Sequence, residues 1–587
     1  PITIDKKDIF KNPREAADRY RGFHTNDWDK CVGCGSCGEI CPTKAITMVK
    51  FDELEQVDGK KPERPAIDYG RCSFCALCVD ICTSDSLGMS KEYMHISKDA
   101  ETFCFIPKED GIHKLLQKNG YERDNVSELL DLERYEMEHV AVKGRNESFM
   151  EIVKGFSKEM AIAEASRCVE CGVCTATCPA NMNIPEYIRT VFEDDNTKGI
   201  DYLYRTNPLS NVCGRICTHK CESACVIGNR GESISIRWLK RYIVDNTPED
   251  LYEEQVLAKV SEQMNGKVGI IGSGPAGLSA GYYLRTLGYE VDIYEERPLV
   301  GGVIRYGAPE YRLPEEKVMI DISMIEKSGV KFITNTKVGR EISLEELKEK
   351  YDAVFASSGY WIPKKLPLPG ADHSDVMYST QFLAQSRNYT RNMGPMPEIS
   401  SSVAVIGGGD VSFDVARTLA RLQSIKYGKI DVKFVARKDE SGLAASLDEK
   451  IEAKEENVAY HLERSPLEII IDPKTNKISG LKVSKCVNFV DEQGKAQTSC
   501  DENKTEILKA TQIYFGVGSD PDFGYLNNFA DQLKIERNKI KVGKNGQVVG
   551  LPWLFAGGDI TKGPDIISAV NDGHKAANGI DEYLRNK

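Results

Sequence analysis

Short apolar runs that break into glycine punctuate the C-terminal half of the chain. Lys267-Val-Gly-Ile-Ile runs into Gly272-Ser-Gly274-Pro-Ala-Gly277, and Ser402-Val-Ala-Val-Ile runs into Gly407-Gly408-Gly409-Asp410. Apolar runs of this length read as buried strands, and glycines at their exit read as tight turns into a following helix. Two further runs, 290–295 and 430–436, fit as the next strand of each unit. The N-terminal half is patterned differently. Residues 234–242 have helical periodicity, and Leu115, Leu116, Leu129, Leu130 and Leu132 fall at helical spacing among many charges, which predicts a helical connector over 97–157. Residues 1–21 are polar and predict an arm lying on another surface. No run of about 18 apolar residues occurs, so no membrane span is expected.

Cysteine changes this picture most. Of nineteen cysteines, seventeen precede residue 226 and sixteen of those lie in tight runs. Cys31-Val-Gly-Cys34-Gly-Ser-Cys37-Gly-Glu-Ile-Cys41-Pro42 is repeated by Cys72-Ser-Phe-Cys75-Ala-Leu-Cys78-Val-Asp-Ile-Cys82. In this spacing three thiolates grip one cluster and the fourth serves the other. Cys31, Cys34, Cys37 and Cys82 are therefore assigned to one 4Fe–4S cluster, and Cys72, Cys75, Cys78 and Cys41 to a second. Thr83 replaces the second proline and removes no ligand. A third run, Cys168-Val-Glu-Cys171-Gly-Val-Cys174-Thr-Ala-Thr-Cys178-Pro179, is followed by Cys213, Cys217, Cys221 and Cys225, which offer the missing ligands of a two-cluster hub. A zinc or disulfide framework is the competing reading, but zinc sites rarely need eight thiols in this packing. Cys104 stands alone and is read as a buried structural thiol rather than a ligand. Grouped cysteines and a polar N-terminus suit a soluble, cytoplasmic protein in a reducing compartment. A net charge of −12 argues against nucleic-acid binding.

The first glycine run has the strand–GxGxxG–helix form of a dinucleotide site. Gly272 permits the turn, Gly274 lets backbone approach a pyrophosphate, and Gly277 lets helix and strand pack. Glu295 ends the next strand, placed for ribose hydroxyls. The second site repeats the logic with Gly407 and Gly409, with Ser412 in the third small position. Arg437 and Lys438 end its next strand and suit the 2′-phosphate of NADP. Asp439 and Glu440 follow at once, so NAD stays open. No nucleophile–base constellation is present, and no acid–base residue is expected to be essential.

Residues 23–96 resemble the 8Fe ferredoxin subunits of complex I and membrane-bound hydrogenases, through the two cysteine runs, the insertion 47–71 between them and the phrase Cys78-Val-Asp-Ile-Cys82-Thr-Ser-Asp-Ser-Leu-Gly-Met. The resemblance implies a one-electron wire with a docked redox partner. Residues 163–584 resemble the small subunit of glutamate synthase and its relatives, which include the NADPH-binding subunit of ferredoxin-dependent transhydrogenase and the N-terminal part of dihydropyrimidine dehydrogenase. This second resemblance implies FAD at the first glycine site and NAD(P) at the other. It places Gly302 and Arg305 in the segment around the flavin, and Asp559 against the ribityl or pyrophosphate region; a turn and helix cap is the alternative for Asp559. Residues 351–359 and 513–518 look like the strands that cross between the nucleotide domains. Asp410 stands where the family has Asn. In the hub the resemblance implies one cluster on Cys168, Cys171, Cys174 and Cys225, and another on Cys178, Cys217, Cys221 and a fourth group. Some relatives supply that group as Glu or Gln where Lys240 and Arg241 stand here, so Cys213 is the thiolate available.

The expected architecture is α/β: two Rossmann-like nucleotide-binding domains, preceded by a helical iron–sulfur domain and a ferredoxin-like domain with two 4Fe–4S clusters. The expected boundaries are 1–96 for arm and ferredoxin, 97–157 for the connector, 158–262 for the helical iron–sulfur domain, 263–390 and 511–587 for the FAD domain, and 391–510 for the NAD(P) domain. The expected function is an NAD(P)H-dependent oxidoreductase with FAD and four 4Fe–4S clusters, passing electrons to ferredoxin or another redox subunit within a hetero-oligomeric complex. Electron bifurcation or transhydrogenation is compatible with this layout. The alternatives are a glutamate synthase-type subunit feeding an amidotransferase and a non-catalytic wiring subunit.

Overall fold

The computed structural model describes residues 16–54, 59–92, 103–109, 111–114, 133–229, 231–261, 266–491, 494–563 and 565–587. The chain divides into two units, 1–127 and 128–587.

In the first unit, strands Ile46–Lys50, Glu63–Asp68, Cys104–Lys108 and Gly111–Lys114 form an antiparallel sheet in that order, and His24–Asn26 pairs with Leu87–Met89. Phe23, Ile67, Tyr69, Leu87 and Phe105 close the core between them. The strands over 104–114 correct the expected helical connector. Phe105 and Ile106 are buried because this segment extends the ferredoxin sheet, and tertiary pairing of this kind leaves no helical signature. The five leucines behind that expectation lie outside the described residues, as does most of the expected arm. Cys104 is half-buried on this strand, in register with Asp68.

The second unit begins with packed helices, including Lys158–Ser166, Ile184–Phe192, Asn196–Tyr204, Ser210–Ile216 and Ile236–Asp245, whose apolar faces join one core. A six-stranded sheet follows in the order Gln547–Val548, Leu551–Ala556, Ala353–Ala356, Lys267–Ile271, Glu290–Tyr294 and Lys331–Ile333. All of its pairs are parallel except the first. A second, five-stranded parallel sheet orders Val376–Tyr378, Gln512–Gly516, Val403–Gly407, Val432–Val435 and Ala459–His461. In each sheet the strand ending in the glycine run sits where the order reverses, the place where open parallel sheets bind ligands.

Tyr360–Pro363 and Ser519–Pro521 pair with each other as the two connections between the sheets. The second nucleotide domain therefore runs from about residue 364 to 518, wider than the 391–510 expected, because Val376–Tyr378 and Gln512–Gly516 belong to its sheet. A three-stranded antiparallel sheet packs against it, and Cys486 and Cys500, opposite each other on two of its strands, are disulfide-bonded. Among the described residues no helix is long and apolar enough to cross a membrane.

Candidate redox centres

Three cysteine runs share one local device. Gly35, Ala76 and Gly172 each follow the second cysteine of their run, hold left-handed φ values of 84°, 69° and 76°, and open a short helix. The turn wraps the run's first three thiols around a common centre. Cys72, Cys75 and Cys78 line one small cavity together with Cys41, from the other half of the repeat. Cys168, Cys171 and Cys174 line another with Cys225. Cys31, Cys34, Cys37 and Cys82 form a third set. Burial, with the neighbouring Cys31 and Cys34 adding to it, pushes Cys37 up to about 11, whereas the Ser36 hydroxyl and amide hold Cys34 below its usual value against the opposing Cys82.

The last set is built around a cation. Cys213 is fully buried on the helix Ser210–Ile216, and Lys240, also buried, reaches its carbonyl at 3.5 Å. Burial alone would lower the Lys240 pKa, but Cys217, Cys213, Cys221 and Cys178 together hold it above its usual value. Cys213 and the other three thiols all act on Lys240, whose ammonium lies against the Cys213 carbonyl. Arg241 turns elsewhere, to Glu151 and Asp245.

Among the described residues no three His, Cys, Asp or Glu groups converge as a single metal ion requires. Four thiols around one cavity suit the corners of a cluster. Burial pushes Cys78 up to about 12 and Cys168 up to about 11, with neighbouring cysteines adding to it. Thiols that resist ionisation when crowded and dry become thiolates when iron supplies the opposing charge.

Gly272, Gly274, Glu295, Gly302 and Asp559 come together around a cavity of about 290 Å³ at the carboxyl end of the first sheet. Gly272 has φ +93°, and a Cβ at Gly277 would stand 2.0 Å from the Gly272 carbonyl oxygen. Gly274 and Gly409 are small for a different reason. A Cβ at either meets no protein atom within 4 Å, so the backbone at both turns is open to close approach. Glu295 accepts hydrogen bonds from the Ser273 amide and hydroxyl. Asp559 lies on a short 3-10 turn beside the helix Ile566–Arg585, which is capped by Asp565 rather than by Asp559. Arg305 is placed differently. It does not line this cavity, because its guanidinium is taken by Glu315 at 2.6 Å and the Val300 carbonyl at 3.2 Å.

Asp410 also has a role the sequence did not reveal. Its carboxylate accepts the Ser446 amide at 2.8 Å, while the Ala444 amide donates to the Gly408 carbonyl at 2.9 Å, so the loop after Arg437 and Lys438 is tied over the glycine turn. Arg437 and Lys438 are exposed at the end of Val432–Val435. One ion pair links hub and flavin cavity. Lys220, beside Cys221, meets Asp565 at 2.8 Å, and Asp565 lines the cavity.

Sets of thiols spaced for clusters, beside two dinucleotide cradles, define an iron–sulfur flavoprotein oxidoreductase. A family model described as pyridine nucleotide-disulphide oxidoreductase matches residues 266–576. Models described as "Dihydroprymidine dehydrogenase domain II, 4Fe-4S cluster" and "4Fe-4S dicluster domain" match 145–251 and 30–86. The chain belongs to the pyridine nucleotide-disulphide oxidoreductase family and carries 4Fe–4S domains ahead of it. It is 30% identical to the glutamate synthase [NADPH] small chain of Escherichia coli (strain K12), over 78% of this chain and 99% of that protein. It is 26% identical to the putative oxidoreductase AegA of the same organism, over 94% and 86% of the two chains. With the NADPH-Fe(3+) oxidoreductase subunit beta of Geobacter sulfurreducens it shares 29% identity, over 76% and 68%. Among solved structures, Mycobacterium tuberculosis FprA in complex with NADPH aligns with a TM-score of 0.45 and 20% identity, over 55% of this chain and 85% of that one. FAD, NAD(P) and iron–sulfur clusters are the cofactors of this chain.

Proposed function

We propose that this chain is the nucleotide-oxidising subunit of a larger redox complex, carrying electrons from NADPH through FAD and four 4Fe–4S clusters to a ferredoxin-type acceptor or partner subunit. The observation that carries this reading is the Lys220–Asp565 ion pair, which joins the Cys217–Cys221 loop to the flavin cavity. It supports an order in which the set holding Cys178, Cys213, Cys217 and Cys221 receives electrons from the flavin and the set holding Cys168 relays them. Bound FAD supplies the conversion between two-electron and one-electron chemistry. The chain's residues supply placement: Gly274 and Gly409 leave room for the two pyrophosphates, Glu295 is set for ribose, and Arg437 with Lys438 for a 2′-phosphate. The names of the relatives, a small chain and a subunit beta, support membership of a complex.

The test is an anaerobic titration of the holoprotein with NADPH, followed optically and by EPR, beside iron and flavin analysis. Bleaching of one flavin followed by cluster signals, with about sixteen iron per chain at four per cluster, is expected. Flavin bleaching with the clusters left oxidised would remove the proposed path. A second reading, delivery of electrons to an amidotransferase, is favoured by the near-complete overlap with the glutamate synthase small chain. Glutamine-dependent turnover with co-purified subunits would select it.

A further inference from the structure

The cluster set Cys41, Cys72, Cys75 and Cys78 has a neighbour that no cysteine spacing announces. His24, on the strand His24–Asn26, is 1% exposed and lines the same cavity. Its Nε2 lies 3.2 Å from Cys78 Sγ, and its Nδ1 lies 3.1 Å from the Tyr69 hydroxyl. The same hydroxyl oxygen accepts the His24 backbone N–H at 2.7 Å.

These three contacts favour one placement of the ring proton. The Tyr69 hydroxyl has one hydrogen. Its oxygen accepts from the His24 amide, and pointing its hydrogen at Nδ1 gives that hydrogen an acceptor as well. Nδ1 is then the acceptor of the imidazole, and a neutral imidazole accepting at Nδ1 carries its hydrogen on Nε2. That hydrogen points at the Cys78 sulfur. Tyr69 is itself held in place, edge-on to Phe23 with ring centres 4.7 Å apart and stacked on Phe74 at 5.6 Å. The donor is thus oriented by packing.

We propose that His24 is a tuning residue of the cluster held by Cys41, Cys72, Cys75 and Cys78, donating Nε2–H to the Cys78 thiolate and raising that cluster's reduction potential, with Tyr69 as the positioning residue that sets the tautomer. Reduction adds one electron to the cluster, and much of the added charge falls on its sulfurs. A hydrogen bond to a ligand sulfur therefore stabilises the reduced form more than the oxidised one, and hydrogen bonds to sulfur are among the terms that set cluster potentials. The contact is confined to one set. Cys82, of the neighbouring set, is approached instead by the Ser86 and Ser84 hydroxyls, at 3.3 and 3.6 Å. Changing His24 should move one midpoint and leave the others.

This inference rests on the iron–sulfur reading, and the experiment separates the two. Full-length, cluster-loaded His24→Leu, His24→Gln and Tyr69→Phe proteins are compared with the parent by iron analysis and by EPR-monitored redox titration under anaerobic conditions. His24→Leu is expected to keep its iron and to show one midpoint shifted to lower potential. His24→Gln, whose amide can donate, recovers part of the shift. Tyr69→Phe keeps the ring packing, frees the tautomer and gives a smaller shift in the same direction. If His24→Leu fails to assemble the cluster, Tyr69→Phe still decides. Midpoints indistinguishable from the parent in fully iron-loaded variants overturn the proposal, whereas a parent protein that binds no iron overturns the reading beneath it.

Discussion

Asp321 offers a quantitative test of how the flavin half holds the hub. It lies on the helix Glu315–Lys327 of the FAD domain and is completely buried. Its carboxylate accepts the backbone amides of Asn211 and Val212 at 3.3 and 3.0 Å and the Asn211 side-chain amide at 3.0 Å. Those backbone amides belong to the first turn of Ser210–Ile216, where a helix has no acceptors of its own. Asp321 therefore caps, from another domain, the helix that carries Cys213. Asp321→Leu removes the acceptor and leaves the donors in place. Buried orphaned donors cost roughly 1–3 kcal/mol each, and with the Tyr204 hydroxyl at 3.4 Å also turned to Asp321 the loss is several kcal/mol. Part of this is offset, because burial raises the Asp321 carboxyl to about 6 despite the hydrogen bonds pulling it down. Its ionisation at neutral pH thus costs the native state about 3 kcal/mol, at 1.36 kcal/mol per unit. A net loss of about 2–4 kcal/mol at pH 8 is expected.

The pH dependence has a definite sign. A carboxyl whose native pKa exceeds its unfolded value binds its proton more tightly when folded. Its contribution is most favourable below the unfolded pKa of about 4 and falls as pH rises through about 6. The cost of Asp321→Leu should therefore be larger at pH 5 than at pH 8, by roughly 1.4 kcal/mol. Anaerobic denaturant midpoints of the loaded protein at the two pH values, with iron content measured alongside, check both claims. Unchanged stability would show that the caps are supplied elsewhere. A cost that grows with pH would show that the buried carboxyl is not a raised acid.

Further outcomes follow from single contacts. Gly277→Ala should purify without flavin, since its Cβ meets backbone oxygen at 2.0 Å and overpacking costs about 1–3 kcal/mol or more. Gly274→Ala, whose Cβ meets no protein atom, should keep parental stability and lose FAD affinity, read as flavin content against denaturation midpoint. Arg437→Ala combined with Lys438→Ala should raise the KM for NADPH far more than that for NADH, by an amount equivalent to about 1.5–3 kcal/mol. Equal small effects would mark the pair as surface charge. Cys213→Ala should lose or convert one cluster, seen in iron content and EPR, and Cys104→Ala should not; an unchanged Cys213→Ala spectrum would mean that another group completes the set.

Much of this molecule was legible because its chemistry is local. Three thiols within seven residues, or two glycines at a strand exit, fix their geometry through the chain between them, so spacing alone identifies the device. What escaped depends on partners distant in sequence. Cys486 and Cys500 are 14 residues apart and meet only because two long strands pair in one register. Arg305 sits in the segment expected around the flavin, yet Glu315 takes its guanidinium. His24 precedes the first cysteine run by several residues and reaches Cys78, 54 positions on, only through the closure of the repeat. Lys240 is the most instructive. A protonated lysine cannot ligate iron, so its place in the sequence looked like a lost ligand. In the fold it is a buried cation against the Cys213 carbonyl, held protonated by Cys217, Cys213, Cys221 and Cys178. A cation there offsets the negative charge that a fourth thiolate adds. A thiolate with a lysine carries no net charge, as a neutral amide would, so a Cys213–Lys240 pair balances charge where the resemblance leads one to expect Gln, and is one charge less negative than Glu.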